Sequence, residues 1–451
     1  MRELLGEAAQ RAIEYLQGLD RRGVAPTREA LARLAEFDVP LPHAPQAAAE
    51  TLRQLDEIAS PATMASAGGR HFGFVIGGAL PVTVASNWLA TAWDQNAALH
   101  APAPATAVIE RTALRWLLEL LGLPADAGGA FVTGATMANF SALAAARHAV
   151  LQRVGWHVEA DGLFGAPPVT VLVGEEAHPT LIKSLGLLGL GRGRVLRVPV
   201  DGQGRMRAER LPAWSGPCIV CTQAGNINTG AFDPFAAIVD EAHSRGAWVH
   251  VDGAFGLWAA ASPALAPLVD GVQRADSWAT DAHKWLNVPY DSGLAFVRDA
   301  AALRAAMSIS ADYLPTQGDS RNPADFTPEL SRRARGVDVW AALRTLGRSG
   351  VAEMIERCCR HARRFADELS RAGCEVLNDV VLNQVLVRFA DELTTRRVIA
   401  DLQTDGTCWC GPTHWQGHVA MRISVCSWAT TDEDVSRSLE AMLRIAARHR
   451  P

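Results

Sequence analysis

Trp248-Val249-His250-Val251-Asp252-Gly253-Ala254 and, further along, Ser277-Trp278-Ala279-Thr280-Asp281-Ala282-His283-Lys284-Trp285 are short apolar runs that end on charged residues. Runs of this length, bounded by glycine or charge, read as buried strands. Five more have the same character, at 130–133, 169–173, 195–198, 218–222 and 294–297. Helical patterns lie between them at 137–153, 181–190, 235–244 and 264–269. The alternation predicts an α/β domain built on a mostly parallel seven-stranded sheet with helices on both faces. Ligands of such sheets bind beyond the carboxyl ends of the strands. Asp252 and Lys284 fall at that edge.

Outside this region the pattern changes. Period-3.6 apolar spacing predicts helices at 1–19, 28–35 and 45–58, then at 81–97 and 105–121. A glycine- and aromatic-rich stretch, 68–78, carries His71, Phe72 and Phe74. After residue 338 a long helix to about 372 leads into a tail with strands at 380–389 and 420–425. The expected organisation is an N-terminal helical segment (1–75), a large domain (76–340) and a small C-terminal α+β domain (341–451).

The composition excludes several classes. Of 451 residues, 49% are apolar and 20% charged, and the formal charge is −5, which offers no footprint for nucleic acid. The N-terminus lacks the apolar core of a secretory signal, and no apolar run is long enough to span a bilayer. Eight cysteines fit neither a disulfide framework nor a zinc spacing. Reduced thiols, no metal and a cytoplasmic location are expected.

Chemistry concentrates at strand ends. Phe131-Val-Thr-Gly134-Ala135-Thr136-Met137 is a strand, a glycine turn and a helix start, where a hydroxyl and free N–H groups can hold a phosphate. An ordinary capped helix would look the same. His178 follows a second strand and could stack on a flat ring or simply be structural. After a third strand, the amides of Gln223 and Asn226 could reach a ring oxygen, although such residues usually mark a turn. Lys284, shielded from water, can lose its proton and form an imine with an aldehyde, while Asp252 can hold a pyridine nitrogen protonated. That is the equipment for pyridoxal 5'-phosphate (PLP). A structural Asp–Lys ion pair is the plain alternative, but it leaves the neighbouring phosphate-ready helix and ring-ready histidine unexplained.

Taken together, these motifs resemble the group II PLP-dependent amino acid decarboxylases. Asp-Ala-His-Lys-Trp is similar to that family's lysine motif, and Asn287-Val-Pro-Tyr290-Asp-Ser-Gly293 continues it. The resemblance, from about Phe72 to Arg344 and more loosely beyond, implies a fold-type I PLP enzyme, a homodimer with active sites shared at the subunit interface. It implies that Lys284 is the Schiff-base lysine, Asp252 the pyridinium partner and His178 the stacking residue. Ala254 would pack on the opposite ring face, with Ala135, Thr136 and His283 at the phosphate end. The expected substrate is an L-amino acid, with an aromatic or other bulky side chain. Candidate pocket walls are His71, Phe72, Phe74, Trp88, Trp93 and His100.

Many similar enzymes protonate the decarboxylated carbon with a tyrosine on a loop after the lysine strand. This chain has three tyrosines, Tyr15, Tyr290 and Tyr313, and the loop is expected at 315–331. Asp325-Phe326 is read as standing where an Asp-Tyr pair belongs. Either His178 or a neighbour's residue supplies the proton, or the carbanion reacts with oxygen as in aldehyde synthases. A misplaced loop alignment is the third possibility. An aminotransferase would need an arginine for the substrate carboxylate, and Arg422 is the candidate. Arg332, Arg333 and Arg335 either reach a neighbouring subunit's phosphate or are solvated. A non-enzymatic module is disfavoured because Lys284, Asp252 and His178 are all present.

Overall fold

The computed structural model describes residues 1–309 and 321–449. The chain forms two compact units, one of Ala79–Arg360 with Asn378–Gln384, the other of Met1–Gly78, His361–Leu377 and Val385–Pro451.

The larger unit is built on seven strands: β1 (Gly128–Val132), β2 (Thr170–Gly174), β3 (Leu196–Val198), β4 (Cys218–Gln223), β5 (Trp248–Asp252), β6 (Ser277–Asp281) and β7 (Gly293–Val297). Each lies within two residues of its expected place. Their order is β1-β7-β6-β5-β4-β2-β3. The pairs β2–β3, β2–β4, β4–β5 and β5–β6 are parallel, while β7 runs antiparallel to both β6 and β1. Strands β1, β4, β5, β6 and β7 are buried almost throughout, which is why they read as unbroken apolar runs rather than alternating ones. The helix Ala135–Gln152 packs on the sheet through alanines 142, 144, 145, 146 and 149, whose small side chains allow close approach. The expected helix at 264–269 is a single 3-10 turn, Ala266–Val269, containing Pro267. The long helix spans Arg335–Arg371 and is broken at Gly347, whose φ of 60° no helix accommodates.

In the smaller unit, helices Arg2–Gly18, Arg28–Arg33 and Ala48–Ala62 stand where the apolar spacing placed them. Its four-stranded sheet has the order β10-β11-β9-β8, from β8 (Glu375–Val376), β9 (Gln384–Arg388), β10 (Gly411–Trp415) and β11 (His418–Ser424). The sequence reading found β9 and β11 but missed β8 and β10. One is two residues long and the other carries Gly411, Pro412 and an exposed face.

Candidate active site

Strand β6 runs into one helical turn, Ala282–Trp285. Its end is pinned by the Asp281 N–H on the Ala254 carbonyl (2.9 Å) and by the Trp258 indole N–H on the Asp281 carbonyl (3.0 Å). Trp285 is fully buried, so the turn is anchored and Lys284 projects into a cavity of about 200 Å³. Gly134, Ala135, Thr136, His178, Thr180, Gln223, Gly225, Ile227, Asp252, Ala254, Phe255, Asp281, His283 and Lys284 line it. Ala135, Thr136, His178, Gln223, Asp252, Ala254, His283 and Lys284, all anticipated for cofactor binding, therefore meet in one place.

Asp252, at the carboxyl end of β5, is 4% exposed. Its carboxylate accepts from the Asn139 side-chain amide (3.2 Å) and the Ala254 N–H (3.3 Å). Burial pushes its pKa up, against the positive charges of His178 and Lys284. A further cation at this carboxylate would relieve that desolvation.

His178 caps the helix Pro179–Leu187, with Nδ1 accepting from the Thr180 N–H (3.3 Å) and lying 2.7 Å from its hydroxyl. The ring proton of the neutral form is then on Nε2. His283 Nδ1 accepts the Ser292 N–H (3.1 Å), and burial lowers its pKa.

Opposite Asp252, the helix Ala135–Gln152 starts at Gly134, which has no side chain to cap it. A Cβ at Gly134 would stand 3.2 Å from His283 and 3.4 Å from Asp281. One at Gly293 would meet the Gly134 backbone at 2.4 Å, so only glycine lets β7 pass beneath the turn. The two glycines thereby keep side chains away from the helix start, whose N–H groups beyond that of Ala135 suit an anion.

Asp281 was not anticipated as a site residue. One oxygen accepts the Ala135 N–H at 2.6 Å and the other pairs with Lys284 Nζ at 3.0 Å. The only local clue was its place three residues before the lysine. Asn226 departs from expectation. It is buried, donates to Glu176 (3.1 Å) and accepts from the N–H groups of Asn228 and Thr229, so it builds its own turn and leaves the cavity to Gln223.

The segment after the lysine strand brings one further correction, at Arg332. Tyr313 and residues 315–320 lie outside the described residues. Phe326 ends the 3-10 turn Pro323–Phe326 and packs beside Met137 on the cluster of Ala130, Val132, Ala138, Ala279 and Ala295, under the Arg321 guanidinium at 4.3 Å. It does not line this chain's own cavity. Arg332 is neither solvated nor free to reach another subunit. It donates to Glu110 (2.8 Å), the Ala97 carbonyl (2.9 Å) and the Phe131 carbonyl (2.8 Å), with no exposed side-chain surface. Arg335 pairs with Asp291 at 2.8 Å. Trp88, Trp93 and His100 are absent from the cavity lining, while His71, Phe72, Phe74 and Arg422 belong to the smaller unit.

A lysine amine, a buried carboxylate and a helix start whose N-cap is a glycine fit PLP at its aldehyde, ring nitrogen and phosphate respectively. Residues 34–390 match the pyridoxal-dependent decarboxylase conserved domain. The chain belongs to the pyridoxal-dependent decarboxylases. As a member of that family it is a PLP-dependent amino acid decarboxylase with the fold-type I architecture. It is 26% identical over 401 residues to an aromatic-L-amino-acid decarboxylase of Bacillus atrophaeus, covering 84% of this chain and 80% of the relative. It is 29% identical over 379 residues to an L-2,4-diaminobutyrate decarboxylase of Rhizobium meliloti, covering 79% and 72%. An Arabidopsis thaliana phenylacetaldehyde synthase is 26% identical over 364 residues, covering 74% and 73%. The fold is that of Oryza sativa TDC solved with PLP and tryptamine, at a TM-score of 0.91 and 24% identity over 99% of this chain and 97% of that one.

Proposed function

We propose that this decarboxylase converts an L-amino acid with an aromatic or other bulky side chain to its amine and CO₂. The observation that carries the reading is the convergence of Lys284, Asp252, His178 and Thr136 on one cavity. Phe255 and Ile227, on the same wall, supply apolar surface beside the polar groups. The aromatic-amino-acid relative supports the side-chain class, and the diaminobutyrate relative shows how wide the family's range is.

When bound, PLP supplies an aldehyde to amines and an electron sink for the pair left by departing CO₂. Lys284 Nζ would hold the cofactor's aldehyde carbon and give way to the substrate's amine. Asp252 would keep a proton on the pyridine nitrogen. His178 and Ala254 would flank the ring, with Gln223 near its oxygen. Ala135, Thr136 and His283 serve the phosphate end. His178, whose Nδ1 accepts from Thr180, is the candidate to protonate the substrate's α-carbon once CO₂ has gone.

The oxidative reaction, in which the carbanion meets oxygen, is the second reading, supported by the phenylacetaldehyde synthase relative. We read the working unit as a homodimer with shared active sites, supported by the exposed Trp88, Leu89 and Trp93 on the helix Pro81–Trp93. All eight cysteines are free thiols, in keeping with a reducing, cytoplasmic location. Among the described residues no helix is long and apolar enough to cross a membrane.

The test is a panel of L-amino acids assayed together for CO₂, amine and peroxide, with 2-oxoglutarate in a parallel series. Amine and CO₂ in equal amounts from bulky side chains is the expected result. Peroxide matching CO₂ would assign the oxidative reaction, and glutamate without CO₂ would assign aminotransfer.

A further inference from the structure

Behind Asp252, away from the cavity, lies a chain of fully buried polar side chains drawn from three elements. The Asn139 amide donates to Asp252 Oδ2 at 3.2 Å. Asn139 Oδ1 lies 2.8 Å from His250 Nε2, and His250 Nδ1 lies 2.9 Å from the Ser277 hydroxyl. The Trp248 indole N–H meets the same hydroxyl oxygen at 2.9 Å. Asn139, His250 and Ser277 have no exposed surface, so water competes for none of these bonds.

The two ends fix the direction of every bond between them. An indole N–H can only donate and a carboxylate can only accept. Asn139 must therefore turn its NH₂ to Asp252 and its oxygen to His250, which places the imidazole proton on Nε2. His250 Nδ1 is then a lone pair that takes the Ser277 O–H, and the Ser277 oxygen takes the indole N–H. Burial holds His250 down to about 3, so it is neutral and has the one N–H this requires. If Asp252 were protonated and donating, the chain would have to reverse. The indole and His250 Nδ1–H would then both point at the one Ser277 oxygen, with its hydroxyl hydrogen turned away from both. The native direction accordingly favours a charged Asp252. Each donor polarises the next in a site that water does not reach.

We propose that Asn139, His250 and Ser277 are positioning residues that hold Asp252 ionised and aimed at the cofactor's pyridine nitrogen. The inference rests on the reading of Asp252 as the ring-nitrogen partner. It adds that the strength of this pairing is set from deeper on the same face of the sheet, by residues that do not line the cavity.

The experiment compares binding of PLP with binding of its analogue carrying a carbon in place of the ring nitrogen. Both are titrated into apo protein, with the ratio of dissociation constants as readout. Wild type should prefer PLP. His250→Leu, which removes the donor to Asn139, should lose on the order of tenfold of that preference, as for one hydrogen bond to a charged group. His250→Gln, which can still donate, should keep most of it, and Ser277→Ala should fall between. A structural role alone would weaken both ligands equally and leave the ratio unchanged, which would overturn the proposal even if His250→Leu folds poorly. A wild type with no preference would instead overturn the assignment of Asp252.

Discussion

The Lys284 ammonium is paired with Asp281, at 3.0 Å, rather than serving as a structural partner to Asp252. Asp281 also accepts the first N–H of the helix that frames the anion end of the cavity. One carboxylate thus tethers the amine beside the place where an aldehyde would be held, and leaves Asp252 available to the ring nitrogen.

Lys284→Ala is expected to abolish covalent retention of the cofactor. After borohydride treatment the wild type should gain the mass of one reduced cofactor and the variant none. Turnover should fall on the order of a thousandfold or more, as when a covalent catalyst is removed.

Phe326→Tyr should not change the products. The added hydroxyl would sit at the partly buried packing beside Met137, at a cost of about 1 kcal/mol. The amine-to-aldehyde ratio should stay at the wild-type value while the denaturation midpoint drops. A shift in that ratio would mean that Phe326 reaches the substrate after all.

Arg332→Met should destabilise the larger unit by about 3–5 kcal/mol, because Glu110 would remain buried without its principal cation. Glu110→Gln in the same chain should recover part of the loss. Arg332→Lys should behave more like Met than like wild type, since one ammonium cannot replace a fork that reaches Glu110, Ala97 and Phe131 together. Denaturant titration of the four proteins checks the series.

In the smaller unit, His71 stacks on Trp409 at 5.2 Å with its buried Nδ1 unpartnered, and burial holds its pKa at about 4, below the usual 6.5. A histidine depressed in the fold contributes stability above pH 6.5 that is lost as pH falls toward 4, roughly 3 kcal/mol in all. His71→Phe keeps a ring against Trp409 and removes the titration. Stability measured from pH 7 to 4 should therefore fall less in the variant than in wild type. Parallel curves through that window would count against the assignment.

Much of the site was legible in the chain because its signals are local. A strand buried on both faces must be an apolar run, and a charged residue at its end has to face a ligand or a partner. That reasoning located all seven strands of the large sheet and placed Lys284, Asp252, His178, Gln223 and Thr136 at its edge, which was enough to name the cofactor. It failed where the partner is distant in sequence. Asp281 meets Ala135 across 146 positions, and Asn139 meets His250 across 111. No spacing rule links such residues. The loop after β7 was hard to read for a related reason: a phenylalanine next to an aspartate looks the same in sequence whether it faces a substrate or packs on its own subunit, as Phe326 does beside Met137.

Sequence alone therefore pointed to the fold class through short-range periodicity, and to the cofactor through strand-end residues together with the family resemblance they carry. Tertiary structure decided which carboxylate holds the lysine, which arginine is locked inside, and what stands behind Asp252. Those are contests among buried charges and hydrogen-bond partners, and they are settled only when the folded chain excludes water and limits each group to the neighbours within its reach.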